Sequence, residues 1–279
     1  MDLIQAIILG IIQGLTEFLP ISSSAHIRIV PSLLGWPDPG AAFTANIQLG
    51  TLLAVLIYFW RDLSRILGGW LGSFRNPANR GTPEANLGWG IVVGSVPIVV
   101  LGYVFKDQIE TSLRSLYVIA TMLILMAILL MVAEKIGRRH RGLESLPVRD
   151  GLVIGLFQAI ALIPGASRSG STITGGLFLG LEREAAARYS FLLSVPSIFL
   201  AAAYTAFKHR SEFSGPMLVP LIVANVFSFA VGYGCIAFLI NYLKKNSNAV
   251  FIGYRVLLGF AIIALLATAK LSEFAGMTP

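Results

Sequence analysis

Gln13-Gly-Leu-Thr-Glu17-Phe-Leu-Pro20-Ile-Ser22-Ser-Ser-Ala-His26 is a polar, proline-broken run set inside apolar sequence, and Pro164-Gly-Ala-Ser167-Arg168-Ser-Gly-Ser-Thr172 is its counterpart in the second half of the chain. A charged side chain at bilayer depth costs about 2.5 to 3.5 kcal/mol or more, so a Glu, a His and an Arg placed there need partners, water or a ligand. The surrounding regions are too broken to cross a bilayer simply. Leu3 to Leu34 is interrupted by Gly10, Gly14, Pro20, Ser22 to Ser24 and Pro31, and Gly151 to Leu181 by Pro164, Gly165, Gly170, Gly175 and Gly176. Non-helical backbone at that depth is tolerated only where protein or a water-filled cavity satisfies its N–H and C=O groups. Both regions are therefore expected to be re-entrant hairpins pointing at a polar interior.

The rest of the chain sets the solvent. With 56% hydrophobic and 13% charged residues and a mean hydropathy of +0.77, it departs from a soluble domain, which averages about 25% charged residues. Six runs reach spanning length: Ala41 to Trp60, Leu87 to Phe105, Leu116 to Ala133, Tyr189 to Phe207, Met217 to Leu239 and Phe251 to Ala267. The start, Met1-Asp2, lacks the basic segment of a cleaved signal and is expected to be retained. The net charge of +7 comes from residues scattered through short loops without an aromatic platform, which argues against nucleic acid. Topology accounts for it better. With the loop Arg61 to Glu84 cytoplasmic, the loops around Lys135 to Arg149, Arg183 to Arg188 and Lys244 to Lys245 share its side and carry, with it, thirteen Lys and Arg. Lys106 to Arg114, Lys208 to Arg210 and Lys270 on the other side carry five, as the positive-inside rule requires. Cys235, the single cysteine, forms no intrachain disulfide and is expected to pack within its span.

The two polar regions also resemble each other. Gly10-Ile-Ile-Gln13 followed by Pro20-Ile-Ser-Ser-Ser matches Gly155-Leu-Phe-Gln158 followed by Pro164-Gly-Ala-Ser-Arg-Ser, with a one-residue gap. Three spans follow each copy, and three is odd, so the second copy is inverted. The expectation is an all-α integral membrane protein of six transmembrane helices plus two re-entrant helical hairpins arranged as an inverted repeat, residues 1–140 and 141–279, in one membrane domain. Such repeats place a polar site at their interface near the midplane, so the two motifs should face each other.

The chemistry suits phosphate. Gly165, Ser167, Arg168, Ser169, Gly170, Ser171 and Thr172 precede an apolar helix, and a helix N-terminus attracts anions. Arg168 adds a planar fork that pairs bidentately with phosphate oxygens. In the first motif Gln13 and Glu17 lie four residues apart, on one helix face, and share one ligand. Glu17 fits a general base, a histidine-orienting group or a ligand for a divalent cation. Ser22, Ser23 and Ser24 offer a nucleophile and His26 the base that activates it. Arg255 is expected to snorkel to the interface, and Arg28 to make a secondary phosphate contact.

On these residues, with Asn46-Ile-Gln-Leu-Gly50 and Ser190-Phe-Leu-Leu-Ser-Val-Pro196, essentially the whole chain resembles the undecaprenyl-diphosphate phosphatase family, also called the bacitracin-resistance family. The resemblance implies a multi-pass enzyme of the bacterial cytoplasmic (inner) membrane. It would remove the terminal phosphate of undecaprenyl diphosphate and so regenerate the carrier lipid for cell-wall synthesis. A divalent cation, Mg²⁺ or Ca²⁺, is implied as well. The family's acidic motif falls on Gln13 and Glu17, its serine and histidine on Ser22, Ser23 and His26, and its arginine on Arg168. Gln13 in place of a carboxylate leaves Glu17 as the one acidic metal ligand. Where the family commonly has glycine this chain has Ala25, which would be strained if that position needed φ > 0. The substrate and membrane lipid are the expected partners, and self-association into a homo-oligomer is left open. Two nucleophiles compete, Ser23 activated by His26 or water activated by Glu17 and His26. A transporter or flippase of polyprenyl phosphate is the alternative, since the architecture is shared with transporters.

Overall fold

The computed structural model describes residues 1–208 and 215–277, and its described residues form twelve α-helices and one isolated β-bridge, Arg141 to Leu181. Helix α1 (Leu3–Phe18) opens on an Asp2 cap whose carboxylate accepts from the Gln5 N–H at 2.7 Å while Gln5 returns the bond. It stops where Pro20 forces Leu19 out of the helical region. Helix α2 (Ser23–Leu34) runs back from the Ser22 cap to Gly35, left-handed at φ 69°. The second polar region repeats this shape as α8 (Val148–Ile160), a turn over 161–167, and α9 (Arg168–Phe178).

Between and after these pairs lie α3 (Gly40–Tyr58), α5 (Pro83–Val104), α7 (Leu116–Ile136), α10 (Arg183–Lys208), α11 (Leu218–Leu243) and α12 (Ala249–Ala267). All six are long and apolar enough to cross a membrane, on the six runs expected from sequence. Thr82 and Pro83 open α5, and Ser115 opens α7, with side-chain caps. One expectation needs correction. The stretch Arg61 to Glu84 is not simply a loop, because Trp60–Arg75 forms α4. Its apolar residues Leu63, Ile66, Leu67, Trp70 and Phe74 recur at helical spacing among charges, and Trp70 packs on Trp89 of α5 at 5.7 Å. The short helix α6 (Lys106–Glu110) turns the chain between α5 and α7.

Small residues set the closest helix contacts. A Cβ on Gly10 would meet the Ala224 carbonyl oxygen at 2.4 Å and one on Gly14 the Ser228 oxygen at 2.8 Å, so α1 lies against α11 and runs parallel to it. A Cβ on Gly151 would meet Gly90 at 2.5 Å and one on Gly155 the Gly94 oxygen at 2.2 Å, so α8 lies on α5 in the same sense. Each broken helix pair thus seats its first limb on a span of the other half. Larger residues would hold these axes apart. The main core joins Phe18, Phe59, Leu130, Phe191 and Leu239, with Phe18 edge-on to Phe191 at 5.1 Å.

Polar clusters fall at two opposite ends of the spans. At one end Glu134 accepts from Arg183, Arg139 and Asn248, and Asp62 pairs with Arg188 at 2.8 Å. At the other, Asp38 pairs with Arg114 at 2.7 Å and Lys208 with Glu110 at 3.1 Å. This is the same partition of loops that the charge bias predicts, except that Arg210 lies outside the described residues. Cys235 is buried, packed in the main core.

Candidate functional site

The two helix breaks meet. Ser22 is the ninth residue after Gln13 and Ser167 the ninth after Gln158, and each serine is left-handed, at φ 76° and φ 69°. A non-glycine residue in that region costs about 1 to 2 kcal/mol, offset here by identical local bonds. The Ser22 hydroxyl accepts from the Ala25 N–H at 3.4 Å and lies 3.1 Å from the Ser24 hydroxyl. The Ser167 hydroxyl accepts from the Gly170 N–H at 3.1 Å and lies 3.2 Å from the Ser169 hydroxyl. The strain therefore sits on the capping serines, while Ala25 is an ordinary helical residue of α2.

Across the tips, the Ser169 hydroxyl donates to the Leu19 carbonyl at 3.0 Å and the Gly165 N–H to the Ser24 hydroxyl at 3.3 Å. An ion pair joins the Arg168 guanidinium to Glu17 Oε1. The other oxygen, Oε2, accepts from Gln13 Nε2 at 2.8 Å and from the Ser23 hydroxyl at 2.6 Å. Glu17 is thus a buried carboxylate shared by a serine and an amide of its own half and an arginine of the other.

His26 is held elsewhere. Its Nδ1 lies 2.7 Å from the Ser22 carbonyl oxygen and its Nε2 2.6 Å from the Tyr254 hydroxyl. The acceptor that the structure gives the Ser23 hydroxyl is Glu17, not His26, so the serine–histidine pairing expected from sequence is not the one formed in this state. Several expected phosphate donors are occupied inside the protein. The Thr172 hydroxyl bonds the Arg168 carbonyl at 2.8 Å and the Ser190 hydroxyl at 2.6 Å, and Gly170 lies so close to Arg255 that a Cβ would meet its Nη1 at 2.6 Å. Three buried polar atoms of the predicted set have no protein partner: Gln13 Oε1, Arg168 Nη1 and Ser171 Oγ. Gln13 Oε1 and Arg168 Nη1, an acceptor and a donor unsatisfied on the two groups that share Glu17, are what a charged ligand with oxygens of its own would complete.

Two arginines depart from expectation. Arg255 does not snorkel. It is fully buried and donates to the carbonyls of Pro20 at 3.2 Å, Gly165 at 3.1 Å, Ala166 at 2.9 Å, Leu123 at 3.2 Å and Met122 at 3.3 Å. Carbonyls left over by both breaks have no solvent to accept from, and one planar fork on α12 serves them. Arg28 makes no contact with the tips either. It bonds the Ser32 hydroxyl at 2.6 Å and the Ala275 carbonyl, and lies 3.5 Å from Asp38, a structural cluster at one end of the molecule. Gln158 bonds the Gly94 carbonyl at 3.4 Å and accepts from Ser197 at 3.2 Å. Leu162 stands four residues after it where Glu17 follows Gln13, so only the first hairpin carries the acid. Tyr254 and Arg255 were not singled out as site residues by sequence. An arginine in the middle of an apolar span was the signal available for them.

A divalent cation has a limited protein ligand set. No group of three or more His, Cys, Asp or Glu is placed to hold a metal among the described residues. Gln13 Oε1 is nevertheless an unpaired buried acceptor beside the Glu17 carboxylate. These oxygens fit a hard ion of the Mg²⁺ or Ca²⁺ type that takes most of its ligands from substrate and water.

The chain matches the family described as Bacitracin resistance protein BacA over residues 6–261. It is 55% identical to an undecaprenyl-diphosphatase of Chloroherpeton thalassium, over 98% of this chain and all of that protein. It is 56% identical to one of Prosthecochloris aestuarii, over 96% and 98%, and 50% identical to one of Paenarthrobacter aurescens, over 95% and 98%.

Proposed function

The chain belongs to the bacitracin resistance protein BacA family, and from that membership we propose how the joined helix breaks do the work of an undecaprenyl-diphosphatase. It is a multi-pass membrane phosphatase that hydrolyses undecaprenyl diphosphate. The observation that carries the site assignment is the chain Ser23–Glu17–Arg168 across the two breaks, with Arg168 Nη1 and Gln13 Oε1 unsatisfied beside it.

Ser23 is the nucleophile in this reading and Glu17 its base. The Ser23 oxygen attacks the terminal phosphorus, its proton passes to Glu17, and the bond from that phosphorus to the bridging oxygen breaks, leaving undecaprenyl phosphate with the electron pair. Arg168, already at Glu17 and with Nη1 free, turns its fork to the phosphoryl oxygens as their charge arrives. Phosphoryl transfer needs mainly such positioning and charge stabilisation. The open N–H groups of the first turn of α9 add to it. Water then attacks the phosphoserine, giving its proton to His26, and inorganic phosphate leaves as Ser23 recovers a proton from Glu17. Gln13 Oε1 and Glu17 would hold a divalent cation, which supplies further neutralisation of phosphoryl oxygens when bound.

The architecture supports a finer reading. The parallel seating of α1 on α11 and of α8 on α5, the matched left-handed serines and the separation of polar clusters to two ends fit two hairpins re-entering from opposite faces in an inverted repeat of residues 1–140 and 141–279. In the bacterial cytoplasmic (inner) membrane that this reading assigns to the chain, the charge bias supports an orientation with the Glu134 end inside.

The test is phosphate release from a polyprenyl diphosphate by purified protein in detergent, with and without chelator, and a search for phosphate on Ser23. Release stopped by Ser23→Ala, together with a phosphoserine in the wild type, supports the covalent route. Release that persists in Ser23→Ala makes water the nucleophile, and its absence from folded wild type favours lipid transport.

A further inference from the structure

The tautomer of His26 is fixed by its neighbours. Nδ1 faces the Ser22 carbonyl oxygen at 2.7 Å, and a carbonyl only accepts, so Nδ1 carries the proton. In the neutral ring Nε2 is then an acceptor, and the donor to it is the Tyr254 hydroxyl at 2.6 Å. The two rings lie 8° from parallel with centroids 5.6 Å apart, so the phenol oxygen lies close to the imidazole plane, where the Nε2 lone pair points. Tyr254 comes from α12 in the second half of the chain, one residue before Arg255, whose bonds to the Pro20, Gly165 and Ala166 carbonyls lock that helix against both breaks and whose bonds to Leu123 and Met122 tie it to α7. It is 41% exposed, which puts the Nε2 contact on the open side of the helix pair. His26 stands three residues after Ser23 on α2, on the same helix face.

Resting on the phosphatase reading above, we propose that Tyr254 is a positioning residue of the reaction: its hydroxyl holds His26 in the Nδ1-protonated tautomer and, bonded to Nε2, passes the proton that Nε2 takes up or releases to and from the open side next to Ser23. A phenol both donates and accepts. It therefore donates to the neutral ring and accepts from the imidazolium, and the ring stays in place as it takes up and loses the proton. The second half of the chain thus supplies Arg168 to the phosphate and Tyr254 to the histidine, and neither half holds a complete site.

The experiment uses the full chain in detergent and compares Tyr254→Phe, His26→Ala and the double variant in steady-state phosphate release. ¹⁵N spectra of the imidazoles are recorded at about pH 8, where free histidine is neutral. The chain has three histidines, His26, His140 and His209, and His26→Ala assigns the signal. Tyr254→Phe keeps the aromatic ring, and its thermal unfolding should match wild type. We expect kcat to fall at least about tenfold with KM within about twofold, no further loss on adding Tyr254→Phe to His26→Ala, and a shift of the His26 Nε2 signal toward an unbonded nitrogen. An unchanged kcat in Tyr254→Phe while His26→Ala is inactive overturns the proposal and leaves the phosphatase reading intact. So does a lowered kcat with an unmoved Nε2 signal, because the hydroxyl would then act without His26. Full activity in His26→Ala removes the role of His26 itself, and the proposal with it.

Discussion

At the scale of residues, Glu17 is the pivot, because one carboxylate receives Gln13 and Ser23 on one oxygen and Arg168 on the other. Glu17→Gln removes the base, and phosphate release should fall by about 10² to 10⁴ in kcat, the range for a lost general base. Arg168→Ala should lower release by about 10³ or more, as for arginines that stabilise transferring phosphoryl groups. Arg168→Lys should recover only part, since a point charge cannot reproduce the fork. Arg168→Ala also strands a buried carboxylate, which costs about 3 to 5 kcal/mol. Adding Glu17→Gln to it should then raise the melting temperature in detergent without restoring turnover. A double variant no more stable than Arg168→Ala would show that the ion pair is not what the carboxylate depends on.

At the scale of elements, two serines in left-handed geometry start α2 and α9. Ser167→Ala keeps the backbone strain and loses the cap, at about 0.5 to 2 kcal/mol. Ser167→Gly loses the same side chain but accepts φ 69° without cost. The Gly variant should therefore melt above the Ala variant, and the reverse order would mean that the turn relaxes once its serine is gone. The glycine contacts of the first limbs are less forgiving. Gly155→Val places a Cβ 2.2 Å from the Gly94 oxygen, and overpacking of this kind costs typically about 1 to 3 kcal/mol. Reduced yield of monodisperse protein and a lower melting temperature are expected, whereas the same change at Gly68, which has open space around it, should leave both nearly unchanged.

Over the whole molecule, the inverted arrangement makes a prediction about sides. Cys235 is buried, so a Cys235→Ala background gives a chain without native thiols for labelling. Cysteines placed at Ala78 and Asn246, both exposed, should react with an impermeant reagent from the cytoplasmic face only. A cysteine at Gln108, exposed on the far loop, should react from the outer face only. Labelling of all three from one face would end the inverted reading, because the loop after α5 and the loops after α4 and α11 would then share a side.

Much of this was readable before any coordinates. The six spans follow from apolar length alone, and Pro20, Pro164 and the polar residues beside them marked the two breaks. The resemblance of the Gly10–Gln13 stretch and the run from Pro20 to the Gly155–Gln158 stretch and the run from Pro164 pointed to two related breaks, while the pairing of Ser22 with Ser167 came from their backbone geometry. Glu17, Ser23 and Arg168 were expected at one site because isolated charges in an apolar setting require partners. Tertiary structure decided which partners they have. Ser23 bonds Glu17 rather than His26, His26 bonds Tyr254, and Arg255 gathers the carbonyls of both breaks instead of reaching for the interface. Local sequence determines where a helix forms and where it must break, because spacing, caps and prolines act within a few residues. Which groups then meet is settled by how separate helices seat on one another, through glycine contacts such as Gly155 on Gly94, and no local pattern contains that information.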